Sequence, residues 1–346
     1  MCIRDRHGAF TVKILVTGAT SGLGRNAVQF LLESGVSVVA TGRNREVGES
    51  LASAGAKFVA LDLTQAFEED CARLMEGCDA VWQCAAKSSP WGDKTTFWQA
   101  NVRATNMLAQ TAGRLCIPRF IHISTPAVYF DFQHHYDLQE TYLARAFSSY
   151  YASSKYAAEQ AIAGAVSQYP TTTFILLRPR GLFGPYDNVI VPRLMRQLQQ
   201  GGGLLRLPRG GEALLDLTFV QNVVYAMQLA TQVEGLRSGS IYNISNHQPQ
   251  SLSVMLDALL RQQLGLSYHI AAVPWPLLSL VARRLELYGK CVNQEPVITR
   301  YSAGTLCFDM TLSAQKAIAE LGYRPRFSME QGIAITGQWP VSYTHL

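Results

Sequence analysis

The 346-residue sequence predicts an α/β protein built on a doubly wound parallel sheet, with a smaller, partly discontinuous C-terminal substrate lobe. Three observations carry that prediction. Short β-rich runs alternate with stretches of helical period from residue 12 onward. A glycine-rich turn, TGATSGLG (17–24), stands between the first such run and the first such stretch. From about residue 181 the alternation breaks into loops, short strands and separate helices.

Taken in order, the runs VKILVT (12–17), VSVVAT (36–41), KFVAL (57–61), DAVWQC (79–84), RFIHIS (119–124) and TTFILL (172–177) read as buried parallel strands. Helical stretches at 22–34, 66–76, 96–114 and 149–167 lie between them, and further helices are expected at 251–264, 277–288, 312–320 and 328–337. The nucleotide-binding part is therefore set at 11–180, with contributions from about 214–245, and the substrate lobe at 181–337. Residues 1–10 and 338–346, which include MCIRDRHG and VSYTHL, lack any pattern and are set aside as non-native tails.

Composition narrows the function. Thirty Lys and Arg against 25 Asp and Glu leave a net charge of +5, with no basic stripe, so nucleic acid is not an expected partner. Seven cysteines at irregular spacing, without C-x-x-C, read as reduced thiols of a cytoplasmic protein. No run reaches the ~18 apolar residues of a membrane span. A small-molecule substrate is expected instead.

The glycines have a physical task. Gly18, Gly22 and Gly24 stand where a chain turns tightly, approaches a pyrophosphate and packs helix on strand. Thr20, Ser21 and Leu23 share that turn, and the helix N-terminus adds free N–H groups and a positive dipole for phosphates. A turn of this kind opening a βαβ unit marks a Rossmann-type dinucleotide site. The second strand ends VVATGRN, where an NAD site usually carries an acid. Gly42 and Arg43 stand there, so NADP is the expected cofactor, with NAD as the alternative. Asp62, followed by Leu63, ends the third strand where it can meet the adenine.

In YYASSK (150–155), Tyr151 and Lys155 are i and i+4 and share a helix face, whereas Tyr150 points elsewhere. A nearby ammonium favours the phenolate and lowers its pKa. Such a phenol suits proton exchange with an alcohol or ketone oxygen.

With these parts in order, the chain resembles the short-chain dehydrogenase/reductase family in its extended, epimerase/dehydratase-containing branch, over about residues 12–337. The matching segments are TGATSGLG, LDLT, CAA (84–86), NVRAT (101–105), HISTPAVY (122–129), YASSK, LRPRGLFGP (177–185), DLTFVQNVV (216–224) and LGYRPRFSMEQGI (321–333). The resemblance implies a catalytic set of Thr125, with Ser124 beside it, Tyr151 as acid/base and Lys155 on the nicotinamide ribose. It also implies cofactor contacts at Ala85, Ala86 and Pro179, support from Asn101, and a homodimer. Two departures matter. The glycine spacing G-x-x-x-G-x-G is that of the shorter branch, and Gly181 stands where nucleotide-sugar enzymes carry an asparagine. The closest character is therefore that of 3β-hydroxysteroid dehydrogenase-like members.

The remaining features divide between plain and sharper readings. His134 and His135 could be metal ligands with Asp131 or Asp137, but a substrate-loop or surface role is expected, with no metal site. The stretch 271–289 reads as a lobe helix packed on the core through 277, 278, 280, 281, 285 and 288; a pocket wall or shallow membrane contact is the sharper reading. Trp91, Phe97 and Trp98, in the loop after the fourth strand, could wall a pocket. The expected function is NADP-dependent hydride transfer at a hydroxyl or keto group of an apolar, sterol-like or β-hydroxy/β-keto substrate. A nucleotide-sugar epimerase or dehydratase, and a catalytically silent NADP-binding regulator, are the alternatives.

Overall fold

A computed structural model of the chain describes residues 12–187 and 190–339. Its first half runs β1 (Lys13–Thr17), α1 (Gly22–Glu33), β2 (Ser37–Gly42), α2 (Arg45–Ser53), β3 (Lys57–Ala60), α3 (Glu68–Met75) and β4 (Ala80–Gln83). Then come α4 (Lys94–Phe97), α5 (Ala104–Arg114), β5 (Arg119–Ile123), β6 (His135–Leu138), α6 (Tyr150–Gln168) and β7 (Thr173–Pro179). The second half begins β8 (Leu182–Phe183), α7 (Ile190–Gln200), β9 (Leu204–Pro208), β10 (Leu214–Leu215), β11 (Thr218–Phe219), α8 (Val220–Gln232) and β12 (Ser240–Ile244). It ends β13 (Gln250–Ser251), α9 (Leu252–Leu256), β14 (His269–Val273), α10 (Trp275–Val292), α11 (Arg300–Thr305), β15 (Met310–Leu312), α12 (Gln315–Leu321) and α13 (Met329–Gln338).

Seven strands form one parallel sheet in the order β3-β2-β1-β4-β5-β7-β12. The order reverses between β1 and β4, which opens a crevice at their carboxyl ends where dinucleotides bind in such sheets. Alternation within each strand feeds two cores. Ile14 and Val16 pack into one apolar cluster, and Leu15, with Val39 and Val81, into the cluster on the opposite face. All six expected strands are present within one or two residues, and β12 adds the seventh.

The expected helix 96–114 is interrupted. A π-helical stretch, Trp98–Arg103, joins α4 to α5, and its wider turn holds Asn101 fully buried. A second π-helical stretch, Asp257–Gln263, likewise follows α9 inside the expected 251–264 helix. The C-terminal elements are tied back to the first half because β6, from the loop before α6, pairs with β15 in a small sheet ordered β13-β10-β15-β6. No helix among the described residues is long and apolar enough to cross a membrane.

The core-facing expectation for 271–289 needs correction. Only Leu278 among the named positions is buried; Leu277, Leu280 and Tyr288 are 55%, 50% and 66% exposed, and Val281 is exposed too. α10 packs through a narrow stripe of Leu278, Ala282 and Gly289 instead. At Gly289 a Cβ would lie 2.7 Å from the Gln294 carbonyl and 3.4 Å from the Trp91 ring, so the small residue permits the contact. At the chain end, α13 runs to Gln338 and Trp339 packs edge-on against Tyr186, 4.5 Å between ring centroids, so the first two residues of the segment read as a tail are part of the described structure; residues 1–10 and 340–346 lie outside the described residues.

Candidate active site

The glycine turn is built to hold something close. Gly18 has φ +65°, and a Cβ there would sit 2.9 Å from the backbone of Ala85, so the loops after β1 and β4 meet through bare backbone. The Ala85 N–H donates to Thr17 Oγ1 at 3.1 Å, which ties the loops together. A Cβ on Gly24 would lie 2.2 Å from the Gly18 carbonyl, so α1 packs directly on the turn. Gly22, at φ +47°, faces open space. Ser21 is the N-cap of α1 yet makes no side-chain cap bond, leaving the first-turn N–H groups of Gly22, Leu23 and Gly24 for a ligand. This cradle fits a dinucleotide pyrophosphate.

At the end of β2, a Cβ on Gly42 would meet Thr20 Oγ1 at 2.6 Å. Thr20 thus fills the place where an acid at position 42 would begin. Arg43 is exposed beside it. Burial alone would raise the Asp62 carboxyl, but bonds from the Thr64 N–H (2.9 Å) and Oγ1 (2.8 Å), with the charge of Arg43, hold it below the usual carboxylate range. Arg43 and Asp62 therefore share one end of the crevice, with Leu63 buried behind them.

The hydroxyl–tyrosine–lysine residues come from three places. Thr125 caps the short 3-10 helix Pro126–Tyr129, its Oγ1 accepting from the Ala127 N–H at 3.1 Å. Burial raises the Tyr151 pKa, and the side chains of Thr125 and of Ser88, from the loop after β4, lie near enough to the phenol to oppose it only in part. The expected lowering by Lys155 is not found, and the reason is geometric. Lys155 shares the face, but Nζ donates to the Ile123 carbonyl at 2.6 Å and lies 3.1 Å from His122 Nε2. Burial lowers the Lys155 pKa to about 8, with Glu159 opposing. Tyr150 is exposed, as the helical-face reading expects.

A buried polar chain fixes the lysine. Gln83 donates Nε2 to the Ala85 carbonyl at 2.7 Å, so its Oε1 must accept from His122 Nδ1–H. His122 Nε2 is then the unprotonated nitrogen and accepts from Lys155. Burial, with the Lys155 charge, holds His122 well below its usual pKa, so the ring is neutral. Ser124 is committed elsewhere: its Oγ donates to Glu159, which also pairs with Arg178 through Nε at 2.8 Å and Nη2 at 2.5 Å. Arg178 Nη1 completes this network on Tyr129 Oη (2.7 Å) and the Glu140 carbonyl (3.0 Å). Asn101 accepts from the Lys87 N–H at 2.7 Å and donates to Ser154 Oγ at 2.9 Å, linking the β4 loop to α6 beside Lys155. Ala85 lies against Gly18 and Ala86 follows it; Pro179 ends β7, paired with Ile244.

His122, Gln83, Glu159, Arg178 and Ser88 are the site residues that sequence reasoning missed. The signals were a histidine inside the apolar run RFIHIS and a glutamate one helical turn after Lys155 in the alanine-rich YAAEQAIAGA.

Beside Tyr151 opens a cleft of about 1870 Å³, lined among others by Trp91, Phe97, Phe132, Tyr142, Phe147 and Tyr301. The Phe97 and Tyr151 rings are 6.4 Å apart. Of the expected wall residues, Trp91 and Phe97 face the cleft. Trp98 lies beneath Lys94, 5.0 Å from its ammonium. His135 is bound to Asp131 at 2.8 Å and His134 to Asp309 at 3.1 Å, so both brace β6 and its neighbours. Gly181 has φ +50°, and a Cβ there would strike Leu217 at 2.4 Å; Leu217 occupies the place of the missing asparagine side chain.

Comparison with known proteins agrees with this geometry. Residues 14–245 match the NAD dependent epimerase/dehydratase family, and the chain belongs to it. It is 43% identical over 330 residues to the uncharacterized protein YbjS of Escherichia coli (strain K12), covering 95% of this chain and 97% of that one. It is 30% identical to the 2-alkyl-3-oxoalkanoate reductase of Shewanella oneidensis (95% and 86% covered). It is 26% identical to the decarboxylating sterol-4-alpha-carboxylate 3-dehydrogenase of Mus musculus (96% and 91% covered). Among solved structures, UDP-glucuronic acid 4-epimerase from Bacillus cereus, in complex with UDP-glucuronic acid and NAD, shares the fold at TM-score 0.75 and 20% identity (95% and 98% covered). The chain is an NAD(P)-dependent enzyme of the extended short-chain dehydrogenase/reductase type.

Proposed function

We propose that this enzyme is a reductase or dehydrogenase acting on the β-keto or β-hydroxy group of an apolar substrate, with Thr125, Tyr151 and Lys155 as its catalytic set and NADP as its preferred cofactor. The observation that carries the reading is the nearness of the Tyr151 phenol to Thr125, with the Tyr151 ring 6.4 Å from Phe97 in the cleft wall. A nicotinamide cofactor, when bound, would supply or take the hydride. Tyr151 gives its proton to the substrate oxygen in reduction and takes it in oxidation, while Thr125 holds that oxygen. Lys155, kept in place by His122 and the Ile123 carbonyl, would hold the nicotinamide ribose.

The aromatic side chains in the cleft wall and the relatives acting on 3-oxoalkanoates and sterol carboxylates favour this substrate class. The nucleotide-sugar alternative has the fold in its support, but Leu217 over Gly181 removes the side chain such a substrate would meet. Arg43 and the Thr20-filled position 42 favour NADP. The test is a panel of 3-oxo acids, 3-hydroxy acids, hydroxysteroids and nucleotide sugars, followed by NADPH absorbance and mass spectrometry. Turnover of an apolar member, with NADPH bound at least about ten-fold more tightly than NADH, is expected. Conversion of a nucleotide sugar with every apolar member inert would reverse the assignment.

A further inference from the structure

Lys87 lines the cleft, and its ammonium lies 5.3 Å from the centre of the Phe97 ring. The Phe97 ring is in turn 6.4 Å from the ring of Tyr151, so one aromatic side chain separates the cation from the proton-transfer residue. A lysine on a loop is ordinarily free to wander, but this one is held. The buried Asn101 side chain grips its backbone from both sides, Oδ1 accepting from the N–H at 2.7 Å and Nδ2 donating to the carbonyl at 3.1 Å. Gly92, at φ +141°, leaves the side chain its place: a Cβ there would lie 3.1 Å from Lys87 Cε, 3.3 Å from Nζ and 3.2 Å from the Phe97 ring.

The ammonium is not spent on the protein. Among the described residues no carboxylate pairs with it, and the ring beneath it takes none of its three N–H donors as a conventional hydrogen bond. The acids in the same cleft are committed elsewhere. Asp93 caps α4, accepting from the Thr96 N–H and Oγ1, each at 2.9 Å. Asp131 accepts from Tyr142 Oη at 2.8 Å and is bound to His135, Glu286 accepts from the Arg300 N–H at 2.6 Å, and Glu295 is engaged as well. Of the other lining cations, Arg300 stacks over Phe132 at 4.6 Å and gives its Nε to Ser279 at 3.1 Å, while Arg145 and Lys290 are exposed.

We propose that Lys87 is a specificity residue that docks the carboxylate of a β-oxo or β-hydroxy acid beside Tyr151. In such an acid a single carbon separates the carboxylate from the reacting carbon, so the cation that reads it has to stand close to the phenol. Lys87 meets that condition with its donors unspent, and a charge-assisted bond to a carboxylate is stronger than one to a neutral ester. The inference rests on the substrate reading above and narrows it: one residue recognises the acid head group, and the aromatic wall is left for the chain.

Binding is measured apart from chemistry. The full-length protein loaded with NADPH, which cannot reduce a hydroxyl, is titrated by calorimetry with 3-hydroxydecanoate and with its methyl ester. The wild type is expected to bind the acid at least about ten-fold more tightly than the ester. Lys87→Met keeps an unbranched stem over Phe97 and removes the charge, and should bring the two affinities within about two-fold of each other. Lys87→Arg should keep part of the preference and Lys290→Met all of it, with melting temperature and NADPH affinity as folding controls. Equal binding of acid and ester by the wild type, or failure of both to bind, overturns the inference whatever the variants do. So does a preference that persists in Lys87→Met; if that variant loses NADPH affinity instead, the ammonium serves the cofactor. A preference that follows Lys87, with neither compound oxidised by NADP⁺, upholds the carboxylate site and defeats the redox assignment. Oxidation of both compounds without any preference does the reverse.

Discussion

The two longest helices, α6 and α10, invert each other. α6 buries polar groups: Ser154, Lys155 and Glu159 are each at most 3% exposed, among alanines that let the helix lie close to the sheet. α10 exposes apolar ones: Leu277, Leu280, Val281, Leu287, Tyr288 and Val292 face outward, while Leu278, Ala282 and Gly289 are buried and Trp275 packs on Phe132 and Phe308. A buried charge persists only where partners satisfy it. In α6 the partners are His122, Ser124 and Arg178, and they define the site. In α10 the helix end borders the cleft through Glu286, Gly289 and Lys290, and the outer face contributes no core. The candidate site therefore lies where polarity is buried, not where apolarity is periodic.

The comparison can be broken first at Tyr151. Tyr151→Phe is expected to lower kcat by about 10³-fold, the scale of general acid–base catalysis, with NADP(H) affinity within about two-fold. Tyr150→Phe, exposed one residue earlier, should keep most activity; a dead Tyr150→Phe with an active Tyr151→Phe would reverse the assignment of faces. Next in size is Glu159→Ala, which strands Arg178 and the Ser124 hydroxyl. A loss of about 3–5 kcal/mol in urea unfolding is expected for a broken buried pair. A loss below about 1 kcal/mol would mean that the network does not hold α6 to the sheet.

Lys155 gives a pH signature. Its folded pKa, near 8, lies below the unfolded value of 10.5. Between those values the unfolded chain binds the extra proton, so this group makes stability rise with pH across about 8 to 10.5. Relative to Lys155→Met, the wild type should gain on the order of 2–3 kcal/mol between pH 7.5 and 10, read as the difference in urea midpoints. Parallel pH profiles for the two proteins would place the lysine in water. The smallest effect belongs to α10. Leu280→Gln and Leu287→Gln should each change stability by no more than about 0.5 kcal/mol, whereas Leu278→Ala should cost about 2–4 kcal/mol. Equal losses at 278 and 287 would show that the outer face is covered after all.

Much of the site was legible because its segments are short and continuous. The turn Gly18–Gly24 joins a strand to a helix in every reading of the pattern, and Tyr151 and Lys155 are one helical turn apart. Asn101 was assigned its supporting role, but the π-helical turn that buries it leaves no mark in an apolar pattern. The lysine's effect on Tyr151 was misjudged because i,i+4 spacing establishes a shared face and not a contact. His122 and the Ile123 carbonyl, brought from β5, decide where Nζ points.

The sequence by itself determined the order of strands and helices, the phosphate turn and the helix face that carries Tyr151, because each follows from backbone geometry and periodicity over a few residues. Tertiary structure alone decided which charges are satisfied: Glu159 meets Arg178 across 19 residues, Lys155 meets His122 across 33, and the Arg180 Nε is enclosed without a partner. It also decided that the leucines of α10 face outward. Burial and pairing depend on what distant segments bring alongside, and no local pattern encodes that.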